Sequence, residues 1–112
     1  MTYATQFLGK IVEVTVDRPL GSKHQKYDYL YPVNYGYLKG VLAPDGEEVD
    51  AYILGINKPL GKFKGKCIAV IHRTDDDDDK LIVVSEGQYF SDDQIKKITK
   101  FQEKFFSSNI IR

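Results

Sequence analysis

The chain has 112 residues with 16 basic and 16 acidic side chains, so its formal net charge is zero. That length suits one domain, residues 1–112, and a chain of this size buries roughly two-thirds of its unfolded surface without staples. A single cysteine excludes an intrachain disulfide scaffold, and the zero charge lacks the basic footprint of a nucleic-acid binder.

Residues 1–10, MTYATQFLGK, lack the basic and apolar regions of a signal peptide. No apolar run approaches the ~20 residues that span a bilayer. The expectation is a cytoplasmic protein with neither a membrane nor a nucleic-acid partner.

Residues 10–16, KIVEVTV, alternate apolar and polar side chains as a strand does, and Asp17-Arg18-Pro19-Leu20-Gly21-Ser22 breaks the pattern. Residues 23–34 are basic, aromatic and irregular. Residues 35–42, YGYLKGVL, read as a second strand whose glycines suggest bends or bulges. Pro44-Asp45-Gly46 signals a turn. Residues 49–56 form a third strand, closed by the loop NKPLGKFKG, and residues 66–72 a fourth, near-continuous and buried. The acidic run Asp75–Asp79 is a loop, and Lys80–Val84 a fifth strand. The period then changes: Ser91 with Gln94 makes a capping box, and Ile95, Ile98, Phe101 and Phe105 form a helical stripe. Asp92 and Asp93 favour the start of that helix. The expected fold is mainly β: a small five-stranded closed barrel of the oligonucleotide/oligosaccharide-binding type with a C-terminal α-helix.

Three segments carry candidate chemistry. Asp45-Gly46-Glu47-Glu48-Val49-Asp50 puts four carboxylates at a turn entering a strand. Glu48 and Asp50 share a strand face there, and Gly46 lets the turn bring Asp45 back toward Asp50. Such a cluster repels itself unless a cation neutralises it, and oxygen-only ligands select Mg²⁺, Mn²⁺ or Ca²⁺. A solvated acidic turn fits the same spacing. The run Asp75–Asp79 reads most simply as a solvated hairpin tip. Asp75, Asp77, Asp79 and Glu86 have EF-hand spacing, but Lys80 stands where that loop needs Gly. Tyr29, Tyr31, Tyr35 and Tyr37 share parity, so those on extended chain share a face, either as cleft phenols or as barrel packing. Arg18, Lys23, His24, Lys26, Arg73 and Lys80 are the nearby bases. His24 and His72 look isolated, which argues against zinc, and Cys67 reads as a small core residue.

Taken together, these segments resemble the soluble family I inorganic pyrophosphatases. Tyr31-Pro32-Val33-Asn34-Tyr35-Gly36-Tyr37 is similar to the family's Tyr-Pro-x-Asn-Tyr-Gly-Tyr segment, and Asp45-Gly46-Glu47-Glu48-Val49-Asp50 to its Asp-Gly-Asp-Pro-x-Asp signature. Thr74-Asp75 with Asp78-Asp79-Lys80-Leu81 resembles its third acidic segment, and Phe101-Gln102-Glu103-Lys104-Phe105 sits where the family has a Phe-Phe-Glu-x-Tyr-Lys helix. The likeness covers roughly residues 29–106 and implies Mg²⁺-dependent hydrolysis of pyrophosphate, with Mn²⁺ a second candidate. It implies that Asp45, Asp50 and Asp78 hold an activating metal, and that Asp75 with Asp78 binds metal arriving with substrate. Glu47 stands at the position of the aspartate that helps deprotonate the attacking water, with Tyr35 beside that water. Tyr31 and Lys80 would contact phosphate oxygens, and Arg18, Lys23 and Lys26 are candidate cationic substitutes for a missing N-terminal hairpin.

The chain also departs from the pattern. Glu47 replaces an aspartate, Glu48 a proline, and Phe105 and Phe106 the Tyr-Lys pair of the helix. The shortened acidic loop leaves Asp78 and Asp79 as competing ligands. The alternatives are a barrel that binds metal and a phosphorylated ligand with little turnover, or one that hydrolyses another phosphoanhydride. Family members commonly assemble into homo-oligomers.

Overall fold

The computed structural model describes residues 2–76 and 78–112. After a 3₁₀ helix, Tyr3–Phe7, come β1 (Ile11–Arg18), β2 (Asn34–Leu42), β3 (Glu48–Ile53), β4 (Lys62–Arg73) and β5 (Asp79–Val84). The helix α1 (Asp92–Glu103) and a short β6 (Ser108–Ile111) follow. The strands run β1-β2-β3-β5-β4-β6, and β4 also pairs with β1, which closes the first five into a barrel. β3 and β5 are parallel, with Asp50 opposite Lys80.

Closure depends on the length of β4. Its Lys62–Lys66 end pairs with β1, while the stretch from Lys66 to His72 pairs with β5. The last part of the expected loop NKPLGKFKG is therefore strand, because the barrel needs those backbone groups to satisfy β1. The sixth strand was not legible: Ser108–Ile111 joins the edge of β4 through Val70–Arg73, outside the closed ring.

Two apolar layers hold the barrel. Val12, Val14, Leu38, Val49, Ala51, Ile53, Leu81 and Val83 form one cluster, to which all of β1, β2, β3 and β5 contribute. Tyr52, Leu54, Ala69, Ile71, Ile82 and Val84 form the other, beneath Ile95 of α1. Strands buried on both faces read as apolar runs rather than as alternation, as β5 does. Cys67 is buried in the first layer, and burial pushes its thiol up to about 11, so it stays a protonated core residue.

The Ser91–Gln94 capping box forms, with Ser91 Oγ accepting from Gln94 N–H. The apolar stripe is shorter than expected: Phe105 lies past the helix end and is half exposed. Gln102 and Glu103 are buried instead, because Tyr52 and Arg73 offer them polar partners. No described helix is long and apolar enough to cross a membrane.

β1 and β2 approach closely at Gly36, opposite Val16. A Cβ there would collide with the Thr15 carbonyl oxygen and stand 2.8 Å from Val16 Cα. Gly36→Ala is expected to lower stability by about 3 kcal/mol or more, since backbone on both sides must shift. The denaturant midpoint checks this; an unchanged midpoint would mean the two strands part without cost.

Candidate active site

The turn before β3 is locally encoded. Gly46 N–H donates to Ala43 O, Ala43 N–H donates to Glu47 O, and Gly46 adopts φ +88°. Asp45 caps the turn by accepting Glu47 N–H at 2.9 Å. On β3, Val49 is buried and Glu48 and Asp50 point the other way, as alternation requires. Glu48 is engaged structurally, accepting Gly40 N–H at 2.8 Å. Asp45, Glu47, Asp50 and Asp78 all line one cavity of about 1000 Å³, together with Asp17 and Tyr37.

A second cleft, about 370 Å³, adjoins it and is lined by Arg18, Lys26, Tyr31, Tyr35, Arg73 and Lys80. Asp17 lines both. Lys80 is nearly buried, and its Nζ lies 2.6 Å from Asp50 Oδ2 and 2.8 Å from Asp78 Oδ2. It thus joins the carboxylates of the acidic cleft to the cationic cleft. Its ammonium is also 5.7 Å from the Tyr35 ring centroid.

Burial, then the Asp50 carboxylate beside it, pushes the Tyr35 phenol well above its ordinary value. Tyr35 is therefore a hydrogen-bond donor at neutral pH and not a base. Tyr31 is also pushed up, chiefly by burial, with Arg18 opposing; its hydroxyl donates to Gln102 Oε1 at 3.3 Å. Behind this cleft, Glu103 accepts from Arg73 Nε at 2.9 Å and Nη2 at 2.8 Å, and from the Tyr52 hydroxyl at 2.6 Å. Burial and the Glu103 carboxylate raise the Tyr52 phenol well above its usual value. Burial opposes the charge on Arg73, but the hydrogen bonds and charge of Glu103 outweigh it and hold its pKa higher still.

The clefts gather most of the residues singled out from the sequence, but not all. Asp75 lines neither; its carboxylate accepts Ser107 N–H at 3.1 Å. Lys23 is exposed, pairs with Asp28 at 3.4 Å and lines neither. Asp78 faces Lys80 and Asp50, whereas Asp79 turns to His72 Nδ1 at 2.7 Å. His72 is thus not isolated. Nor is His24, whose ring packs on Tyr29 and Tyr31 and whose Nδ1 accepts from Lys26 and Tyr27 N–H. The acidic run joins two antiparallel strands, which excludes the helix-flanked EF-hand; Asp77 lies outside the described residues. Sequence reasoning missed Asp17, because β1 continues through an irregularity to Arg18 instead of breaking at Asp17. It also missed the Arg73–Glu103 pair, which bridges 30 positions of sequence and leaves no local signal.

Among the described residues, no three His, Cys, Asp or Glu side chains already converge as a ligand set. The carboxylates that line the acidic cleft are nevertheless oxygen donors, the kind that suits Mg²⁺ or Mn²⁺, and the His72 ring that also lines it is engaged with Asp79 at 2.7 Å. Asp50 and Asp78 are about one-third exposed, so an ion can reach them, in competition with Lys80.

The family model described as inorganic pyrophosphatase matches residues 9–110. A Corynebacterium glutamicum inorganic pyrophosphatase is 31% identical, with 80% of this chain and 70% of that protein covered. A Bacillus sp. PS3 inorganic pyrophosphatase is 32% identical over 71 residues, 48% of this chain and 42% of that protein. Among solved structures, an Ehrlichia chaffeensis inorganic pyrophosphatase superposes with a TM-score of 0.70 at 19% identity, covering 91% of this chain and 85% of that one. The Helicobacter pylori protein gives 0.62 at 17% identity, with 89% and 81% covered. At such identities the structural likeness speaks to the fold.

Proposed function

Because this chain belongs to the inorganic pyrophosphatase family, we propose that it hydrolyses inorganic pyrophosphate to two phosphates with Mg²⁺ or Mn²⁺ as the required cation. The observation that carries this reading is the junction at Lys80, where a carboxylate-lined acidic cleft meets a cationic, phenol-lined one. A phosphoanhydride with its metal ions has both polarities and fits such a pair of clefts.

Asp45, Asp50 and Asp78 are the residues that would hold the cation. The chemistry a divalent ion supplies there is neutralisation of the developing charge and a lowered pKa for water. Glu47, exposed on the same turn, accepts the proton of the attacking water at its carboxylate. Tyr35, kept protonated, donates a hydrogen bond from its phenol and holds Asp50 in place. Arg18, Tyr31 and Lys80 face the phosphoryl oxygens, where positioning and charge neutralisation do most of what phosphoryl transfer requires. Asp75 and Lys23 stand outside both clefts and take no part in this reading.

Phosphate release from pyrophosphate tests it. Release is expected with Mg²⁺ or Mn²⁺, lost on adding chelator and restored by excess metal. Folded protein that releases no phosphate under any of these conditions would overturn the hydrolytic reading.

A further inference from the structure

Arg73 lines the cationic cleft although its side chain is only 7% exposed. A guanidinium carries five N–H donors. Here the Nε and Nη2 edge is taken by Glu103, in a bidentate fork at 2.9 and 2.8 Å. The Phe106 ring, 3.7 Å from the guanidinium carbon, covers one face. These two contacts fix the plane and direction of the group. Among the described residues, the Nη1 edge meets Asp76 at 3.4 Å and Asp78 at 3.6 Å, long contacts to carboxylates more than one-third exposed. A buried ion pair that served packing alone would gain most by satisfying all its donors within the protein. This one is oriented on one edge and under-used on the other, beside Arg18, Tyr31 and Lys80.

We propose that Arg73 is a substrate-specificity residue whose Nη1 edge binds phosphoryl oxygens of the phosphoanhydride, with Glu103 and Phe106 as the residues that position it. The proposal rests on the pyrophosphate reading above. Planar N–H pairs match the oxygens of a phosphate, which a lysine at the same place does not reproduce. The charge of Arg73 is largely offset by Glu103, so its contribution is direction and geometry, while Lys80 and Arg18 supply net charge.

Two measurements test it. Calorimetry with imidodiphosphate, a non-hydrolysable pyrophosphate analogue, is run in Mg²⁺ on the unaltered protein, on Arg73→Lys and on the double variant Arg73→Gln/Glu103→Gln. The double variant removes both charges of the buried ion pair together, so neither partner is left as an uncompensated buried charge. Binding is expected to weaken roughly ten- to hundredfold in both, with a matching rise in KM, as loss of charge-assisted hydrogen bonds entails. The second measurement uses unaltered protein, whose arginines are Arg18, Arg73 and Arg112. Imidodiphosphate is expected to shift the Arg73 Nε resonance and leave that of Arg112 unmoved; the shift is readable even if the variants fail to fold. A still Arg73 resonance, or folded variants that bind the analogue as tightly as the parent, would overturn the inference while the pyrophosphate reading stands. Unaltered protein that binds no analogue would overturn both.

Discussion

Asp50→Asn is expected to slow phosphate release by roughly a hundredfold or more, with the fold retained. Asp50 sits on β3 opposite Lys80 of β5, and its carboxylate is 2.6 Å from the Lys80 ammonium. It also stands beside the Tyr35 phenol and lines the acidic cavity. Asparagine keeps the shape but removes the charge through which this position would hold a cation. Stability changes little, because Lys80 keeps Asp78 at 2.8 Å and Asp50 is one-third exposed. Phosphate release beside thermal melts of both proteins checks this. A variant as fast as its parent would remove Asp50 from the catalytic machinery and move attention to Asp45 and Asp78.

Glu103→Ala is the substitution expected to cost the most stability. Its carboxylate accepts two hydrogen bonds from Arg73 and one from Tyr52, and both charged side chains are only 7% exposed. Truncation leaves a buried guanidinium and a buried phenol without this partner. Breaking a buried pair from one side costs roughly 3–5 kcal/mol, a large share of the 5–15 kcal/mol typical of a whole domain. A fall in melting temperature of roughly 10–20 °C follows for a chain of this size. Glu103→Gln retains hydrogen-bonding capacity and is expected to lose markedly less. A melting temperature unmoved by Glu103→Ala would show that water solvates Arg73 from the cleft, and that the pair is worth no more than a surface ion pair.

The placement of the elements was largely legible because burial has a period. Val49 between Glu48 and Asp50 read as one inward residue between two outward ones, and β3 places them so. The turn was legible as well: Gly46 supplies the positive φ, so Asp45, Glu47 and Asp50 reach one cleft from within six residues of chain. The helix start followed from Ser91 and Gln94, which need only each other. What failed were positions whose partners lie far along the chain. Gln102 and Glu103 lie outside the apolar stripe of Ile95, Ile98, Phe101 and Phe105, yet Tyr52 and Arg73 draw them inward. β6 is too short to show a period of its own, and pairs only because β4 presents an edge.

By itself the sequence determined the barrel strands, the capped helix and the acidic turn, since each depends on neighbours within a few residues. Tertiary structure decided which charges meet. It set Lys80 between Asp50 and Asp78, brought Asp17 to the edge of both clefts, left Asp75 and Lys23 outside them, and closed Glu103 on Arg73. The physical reason is that hydrophobic periodicity is a local property of the chain, whereas an ion pair is specified only when strand pairing brings its two halves within about 4 Å.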